Sequence, residues 1–314
     1  ITETAAAYRP GAPHWPNPSG NYDAEDTVIR ASGTPLLEVI HLAVTSYRSF
    51  NRYKEALLMF KSMLLHRVSS NIIHLHLIVD PAGQQFFERE LLPLNVSCLR
   101  VSFHDFESVC KLPNEVFLAK YNWHLSAHYS GVAGYCRIHM FEWFYKKGID
   151  SIIAIESDQL FMQDISKLWQ EFTRFGKNAV MGLPELYKPW RRGRNSIPKA
   201  KSSESSNANE NFENYPDGGV LDSSSRDREH NGYIGGVVML NLTRMNALTP
   251  SWDAVMHESL DAFLAKERQT DPEWTLQMND QDVINAMAEI RPELFYTIPC
   301  QWQIQFHAFK EHQR

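Results

Sequence analysis

Glu156 and Asp158 stand one residue apart where an apolar run, Ser151-Ile-Ile-Ala-Ile, ends. A run of that kind suits a strand covered on both faces, as in the parallel sheet of an α/β domain. Ligands of open α/β sheets sit beyond the carboxyl ends of such strands, where these two acids could aim oxygens at one point. Hard divalent cations such as Mg2+ or Mn2+ take oxygen ligands and bridge phosphates. In isolation an E-x-D pair is more often two solvated turn acids, so the rest of the chain has to decide.

Other residues could join this chemistry. Arg137 falls within an otherwise apolar helical stretch beginning near Tyr129-Ser-Gly, where a charge needs a partner. A surface salt bridge would satisfy it, and so would an acid or phosphate of a site. Gly235 and Gly236 enter a strand, allowing close approach of a ligand to backbone or merely a bend. Asp280 and Gln281 open a helix, with Asp280 placed to be its N-cap. His74 and His76 share a strand face, the spacing of a metal pair. No third ligand is nearby and both sit mid-strand, so packed structural histidines are expected.

These side chains must be held by alternating strands and helices. Strands are expected at 37–44, 72–79 and 98–103, with helices at 53–65 and 84–92 between them. That β-α-β-α-β run begins a nucleotide-binding α/β half. Further strands are expected at 151–155, 179–183, 231–242 and 294–298, and helices after Tyr129, at 252–266 and from Asp280. Neither G-x-G-x-x-G nor G-x-x-x-x-G-K-[ST] follows the first strand, so dinucleotide and P-loop chemistry lose their main support. A phosphate would have to be held another way, and a metal on the acidic pair is the available one.

Residues 1–35 are rich in Pro, Gly, Ala, Asn and acids without hydrophobic period, and read as a stem or flexible segment. Residues 185–231 form a long flexible loop, basic and Trp-bearing at its start, either a binding loop or a surface insertion. The chain has 314 residues, 43% hydrophobic, with net charge −6, enough for one large α/β domain. Scattered, outnumbered basic residues speak against nucleic acid, and no apolar stretch approaches the ~20 residues of a membrane span. The four cysteines show no C-x-x-C spacing, which argues against structural zinc. Asn95-Val-Ser and Asn241-Leu-Thr are glycosylation sequons, a small point in favour of a secretory route.

In order along the chain stand an H-L-A-V strand, a Y-S-G helix with Arg137, the acid-x-Asp strand end, G-V-x-x-L-N-L-T-R, D-Q-D-x-x-N and P-C-x-W. This order resembles family 8 retaining glycosyltransferases of the GT-A fold. It is most similar to glucoside xylosyltransferases and to the xylosyltransferase domains of LARGE-type enzymes, and it covers residues 37–305. The resemblance implies an α/β, Rossmann-like GT-A single domain over 36–314, with a mostly parallel central sheet flanked by helices. It implies a UDP-sugar donor, plausibly UDP-xylose, and Mn2+ or Mg2+ on Glu156 and Asp158. The donor would lie against Ala43, Val44, Thr45, Ser46, Tyr129, Arg137, Ser157, Gly235 and Gly236, with Asp280 and Gln281 as catalytic residues beside the sugar. The acceptor would be a glycan or glycoprotein. The full-length protein would be a type II membrane protein of the Golgi or ER lumen.

Three departures mark the chain. Glu156 stands where the family has Asp, moving the oxygens by ~1 Å, a misplacement that can cost about a hundredfold in rate. Ile234 replaces an Asn. The family's late His-x-x-Gly-type motif, source of a third metal ligand, is not in this chain, and His307 comes too early for that role. Glu156 and Ile234 support an alternative, a catalytically weak or inactive sugar-nucleotide-binding homologue.

Overall fold

The computed structural model describes residues 38–110, 115–121, 131–186, 232–270, 276 and 280–303. The expected stem, most of the 185–231 loop, Tyr129 and His307 lie outside them.

Strand β1 (Val39–Ser46) feeds helix α1 (Phe50–Leu65), which returns to β2 (Ile72–Val79). Helix α2 (Pro81–Leu91) leads to β3 (Leu99–Asp105), giving the β-α-β-α-β run read from the pattern. Short helices α3 (Phe106–Val109), α4 (Glu115–Tyr121), α5 (Gly131–His139) and α6 (Phe141–Tyr145) precede β4 (Ser151–Ile155). After α7 (Ile165–Trp169) come β5 (Met181–Pro184), β6 (Val237–Asn241), α8 (Leu242–Asn246), α9 (Trp252–Thr270), α10 (Asp280–Ile290) and β7 (Phe295–Ile298). The seven strands form one sheet in the order β3-β2-β1-β4-β6-β5-β7.

All pairings are parallel except those of β6, which runs antiparallel to β4 and to β5. That reversal places the start of β6 at the edge where the other strands end. Its Gly236 carbonyl accepts from the Glu156 amide at 2.9 Å.

Strand residues alternate between two cores, as a period of two dictates. Ile40, Leu42 and Val44 of β1, with Ile153 and Ile155 of β4, pack under α1, α2 and α7. Ala43, Ile152 and Ala154 face the opposite core, built by α3–α6 and α8–α10. Both faces are covered, which is why these strands carry runs of apolar residues.

Asp80 ties the ends of β1 and β2 together. It caps α2 through the Gly83 amide (2.8 Å) and accepts from Tyr53 Oη (2.7 Å) and from the Arg48 amide (2.8 Å). Arg48 sits in the left-handed region, at φ 52°. A non-glycine residue holds that conformation only where surroundings impose it, and Asp80 supplies the constraint. A disulfide joins Cys110, just after α3, to Cys136 of α5. Of the sequons, Asn95 is exposed, whereas Asn241 caps α8 through the Arg244 amide at 3.0 Å.

Candidate active site

The carboxyl ends of β1 and β4, the turn into β6 and the starts of α5 and α10 meet around Arg137. Arg137 projects from α5 into the sheet edge and is 7% exposed. Its Nη1 donates to Glu156 Oε1 at 2.6 Å and to the Gly235 carbonyl at 2.5 Å. Its Nη2 lies 2.7 Å from Asp280 Oδ2, a buried ion pair. Arg137 is thus paired in the interior, with Glu156 and Asp280, and not in a surface salt bridge.

Burial works against the Arg137 charge, but Asp280 and Glu156 more than offset it and hold the guanidinium protonated. Burial pushes the Asp280 carboxyl up, against the pull of Arg137. Asp280 is the first residue of α10 rather than its cap, and the expected capping role is corrected on that point. Gly235 packs over this pair: a Cβ there would stand 3.4 Å from Asp280 Oδ2 and 3.5 Å from Arg137 Cζ. Those are ordinary contact distances; at Gly236 a Cβ would collide with the Gln303 side chain, so that position is the one that requires glycine.

Beside Arg137 a cavity of about 200 Å3 opens between β1, α1 and α5. Ala43, Thr45, Ser46, Glu156 and Ser157 line it, all expected from the sequence. Tyr47, Arg52, Ala133 and Met140 line it too, and none was anticipated. Val44, Gly235 and Gly236, also expected against the donor, do not line it, and Val44 packs into the other core. Thr45 Oγ1 and Ser46 Oγ are buried without a hydrogen-bond partner. Buried hydroxyls rarely stay unsatisfied, and two on one wall mark a surface waiting for polar groups.

Asp158 is farther out, with its side chain 45% exposed and Oδ2 3.5 Å from Arg52 Nη1. Arg52 lies in the first turn of α1, a position that could have been singled out as facing the β1 edge. Arg52 also pairs with Glu55 at 3.2 Å, so four carboxylates (Glu55, Glu156, Asp158, Asp280) and two guanidiniums (Arg52, Arg137) leave two negative charges in excess. Glu156 Oε1 is taken by Arg137, and Oε2 makes no hydrogen bond or ion pair with the described residues. This donor set fits part of a hard cation's shell: two carboxylates of suitable chemistry, with other ligands required. Gln281 is half-buried beside Asp280, and its carbonyl accepts from Asn285 Nδ2 at 2.8 Å. Ile234 is half-buried, its amide spent on the Pro184 carbonyl.

Among the described residues, the group of three metal-type side chains with converging ligand atoms lies elsewhere, at His41, His74 and His76. The absence of a third ligand near His74 and His76 is thus corrected. Parallel register sets His41 directly opposite His74, a juxtaposition invisible in sequence spacing.

The architecture matches mouse xyloside xylosyltransferase 1 with a TM-score of 0.60 at 21% identity, covering 84% of this chain and 86% of that one. The fold is GT-A. The homologues of this GT-A chain are glycosyltransferases. The xylosyl- and glucuronyltransferase LARGE1 of Homo sapiens is 26% identical over 268 residues, 85% of this chain. LARGE2 of Rattus norvegicus is 25% identical over 289 residues, 92% of this chain. The GT-A chain spans 30% and 36% of those relatives, about a third of their length. No family model matches it.

Proposed function

We propose that the chain is the catalytic domain of a metal-assisted retaining glycosyltransferase that moves a sugar, on the resemblance xylose, from a UDP-sugar to a glycan on protein. The carrying observation is the buried Arg137, clamped by Glu156 and Asp280, beside a cavity whose Thr45 and Ser46 hydroxyls lack partners. Its glycosyltransferase homologues support the reading.

Thr45 and Ser46 would bind polar groups of the nucleotide, and Tyr47 and Ala43 would wall its base. Glu156 and Asp158 would hold Mn2+ or Mg2+, which when bound supplies Lewis-acid neutralisation of the diphosphate. The excess negative charge of the cluster favours a cation and disfavours a bare diphosphate. Arg137 keeps Glu156 and Asp280 fixed, so neither acid must reorganise as charge develops. Asp280 and Gln281 open α10, whose amino end carries positive partial charge. Gln281 would face the sugar and stabilise positive character at the anomeric carbon while the acceptor attacks from the leaving-group side.

The alternative, a sugar-nucleotide-binding homologue with little turnover, is favoured by Glu156 spending one oxygen on Arg137. A UDP-sugar panel in Mn2+, read as UDP release, separates the two. Release that EDTA abolishes and Asp158→Asn weakens is expected for the enzyme. UDP binding without release would leave the alternative, and neither binding nor release would reject both.

The Cys110–Cys136 disulfide suits an oxidising compartment, and the exposed Asn95 sequon suits a glycosylating one. Both support the Golgi or ER lumen, with the whole protein held, on the resemblance, as a type II membrane protein. Among the described residues no helix is long and apolar enough to cross a membrane.

A further inference from the structure

We propose that His41, His74 and His76 form a binding site for a first-row transition-metal cation, Zn2+ foremost, separate from the carboxylates at the strand ends.

The placement follows from sheet geometry. His41 on β1 is the register partner of His74 on β2, and His76 is two residues on, so all three share one face. Their ring centroids lie 4.1 to 5.4 Å apart. One nitrogen from each falls within 4.8 Å of the others, and His41 Nδ1 and His76 Nε2 approach to 3.0 Å. Bonds of ~2.0–2.1 Å in a tetrahedral centre set nitrogens about 3.4 Å apart. Bringing ligand atoms that lie up to 4.8 Å apart to that spacing takes side-chain movements of about 1–1.5 Å, and the hydrogen-bonded His41 and His76 nitrogens must turn from each other toward the cation.

The surroundings resemble the outer shell of a metal site. A metal-bound imidazole normally gives its second nitrogen to a hydrogen-bond partner, which fixes the ring. His74 Nε2 is 2.8 Å from Ser102 Oγ on β3, and its Nδ1 makes no hydrogen bond with the described residues. His76 Nδ1 is 3.0 Å from His104 Nε2. Phe144 packs edge-on against both His76 and His104, excluding water behind the rings. Neutral imidazole is the form that binds metal, and it suits zinc, copper and nickel better than manganese. Three histidines leave a fourth position for water or another ligand, on the half-buried His41 side.

The competing account is a dry chain of neutral rings. Trp143 Nε1 can donate to His104 Nδ1 (3.4 Å), His104 to His76 and His76 to His41. That chain puts the proton on Nε2 of His76. A cation on Nε2 would move it to Nδ1 and reverse the His104 tautomer as well.

Co2+, a spectroscopic stand-in for zinc, provides the test on the full chain without nucleotide. One equivalent should develop the intense visible bands of four-coordinate nitrogen ligation, which carboxylate-bound octahedral Co2+ lacks. His41→Ala, at the least buried of the three, should weaken this binding by more than about a hundredfold. Ser102→Ala should weaken it about ten- to hundredfold, as loss of an outer-shell partner does. Circular dichroism should show both variants folded, and ring 15N shifts of His76 should report the tautomer change on loading. Absence of the bands, or unchanged affinity in both folded variants, would overturn the site and leave the dry chain.

Discussion

Arg137 and Asp280 stand 2.7 Å apart with side chains 8% and 2% exposed, so hardly any water screens their charges. Each would be costly to bury alone, and Arg137 also answers Glu156. The helix α5, the strand β4 and the helix α10 thus meet on one guanidinium.

Removing that guanidinium should destabilise the domain strongly. Arg137→Met leaves two acids facing each other, and an uncompensated buried charge costs about 3–5 kcal/mol. Urea unfolding of Arg137→Met, Asp280→Leu and the double variant checks this. The double variant should lose clearly less than the sum of the singles. Additive losses would show that the two residues act independently.

Glu156→Asp should trade stability for activity. The shorter arm opens the 2.6 Å contact to Arg137, and a charge-assisted bond is worth about 1.5–3 kcal/mol, less here because Glu156 is partly exposed. Its carboxylate would then be free for a cation, and UDP release should rise. A fall in both melting temperature and release would mean that the local backbone is adapted to glutamate.

Acid should unfold the domain in part through Asp164. Burial would raise this carboxyl, but the amides of Ser166, Ser69 and Val68 outweigh it and hold the pKa at about 2. A folded pKa below the unfolded value stabilises at neutral pH, and the contribution is lost as pH falls from about 4 to 2. The shift corresponds to about 2 kcal/mol. Asp164→Asn should lower stability at pH 7 and flatten the acid limb of stability against pH. An unchanged limb would show that other carboxylates control it.

Breaking the Cys110–Cys136 link should cost about 3–4 kcal/mol, the chain-entropy value for a separation of 26 residues. Cys136→Ser should lower the denaturation midpoint, and a reductant should do the same to the parent but not to the variant. It should also weaken UDP binding, because the neighbouring Arg137 rides on the tethered helix. Equal UDP affinities would confine the disulfide to stability.

Much of this was readable because it is local. The run Ile72–Val79 reads as a strand from its β-branched and apolar residues ahead of Asp80-Pro81, and it appears with the expected bounds. Glu156 and Asp158 follow β4 as the strand-to-turn chemistry required. What stayed hidden depends on register and direction. His41 meets His74 only because β1 and β2 pair in parallel with no offset, which neither sequence position encodes. Arg52 reaches Asp158 across more than a hundred positions. The pairing of Cys110 with Cys136, leaving Cys98 and Cys300 free, likewise follows from where α3 and α5 pack.

The reversed strand β6 has a consequence for how the molecule forms. The β3-β2-β1 block consists of neighbours in sequence, so it can assemble early from short-range contacts. Strand β6 can join β4 only after a loop of about 80 residues closes, and each doubling of such a loop adds ~0.6 kcal/mol of entropic cost. Gly235 and Asp280 arrive with or after that step. Refolding should therefore pass through a species with a native-like amino-terminal half and no complete charge cluster. In that interval Arg137 has only Glu156 for company, and the half-built edge is where chaperone capture or misassembly would act.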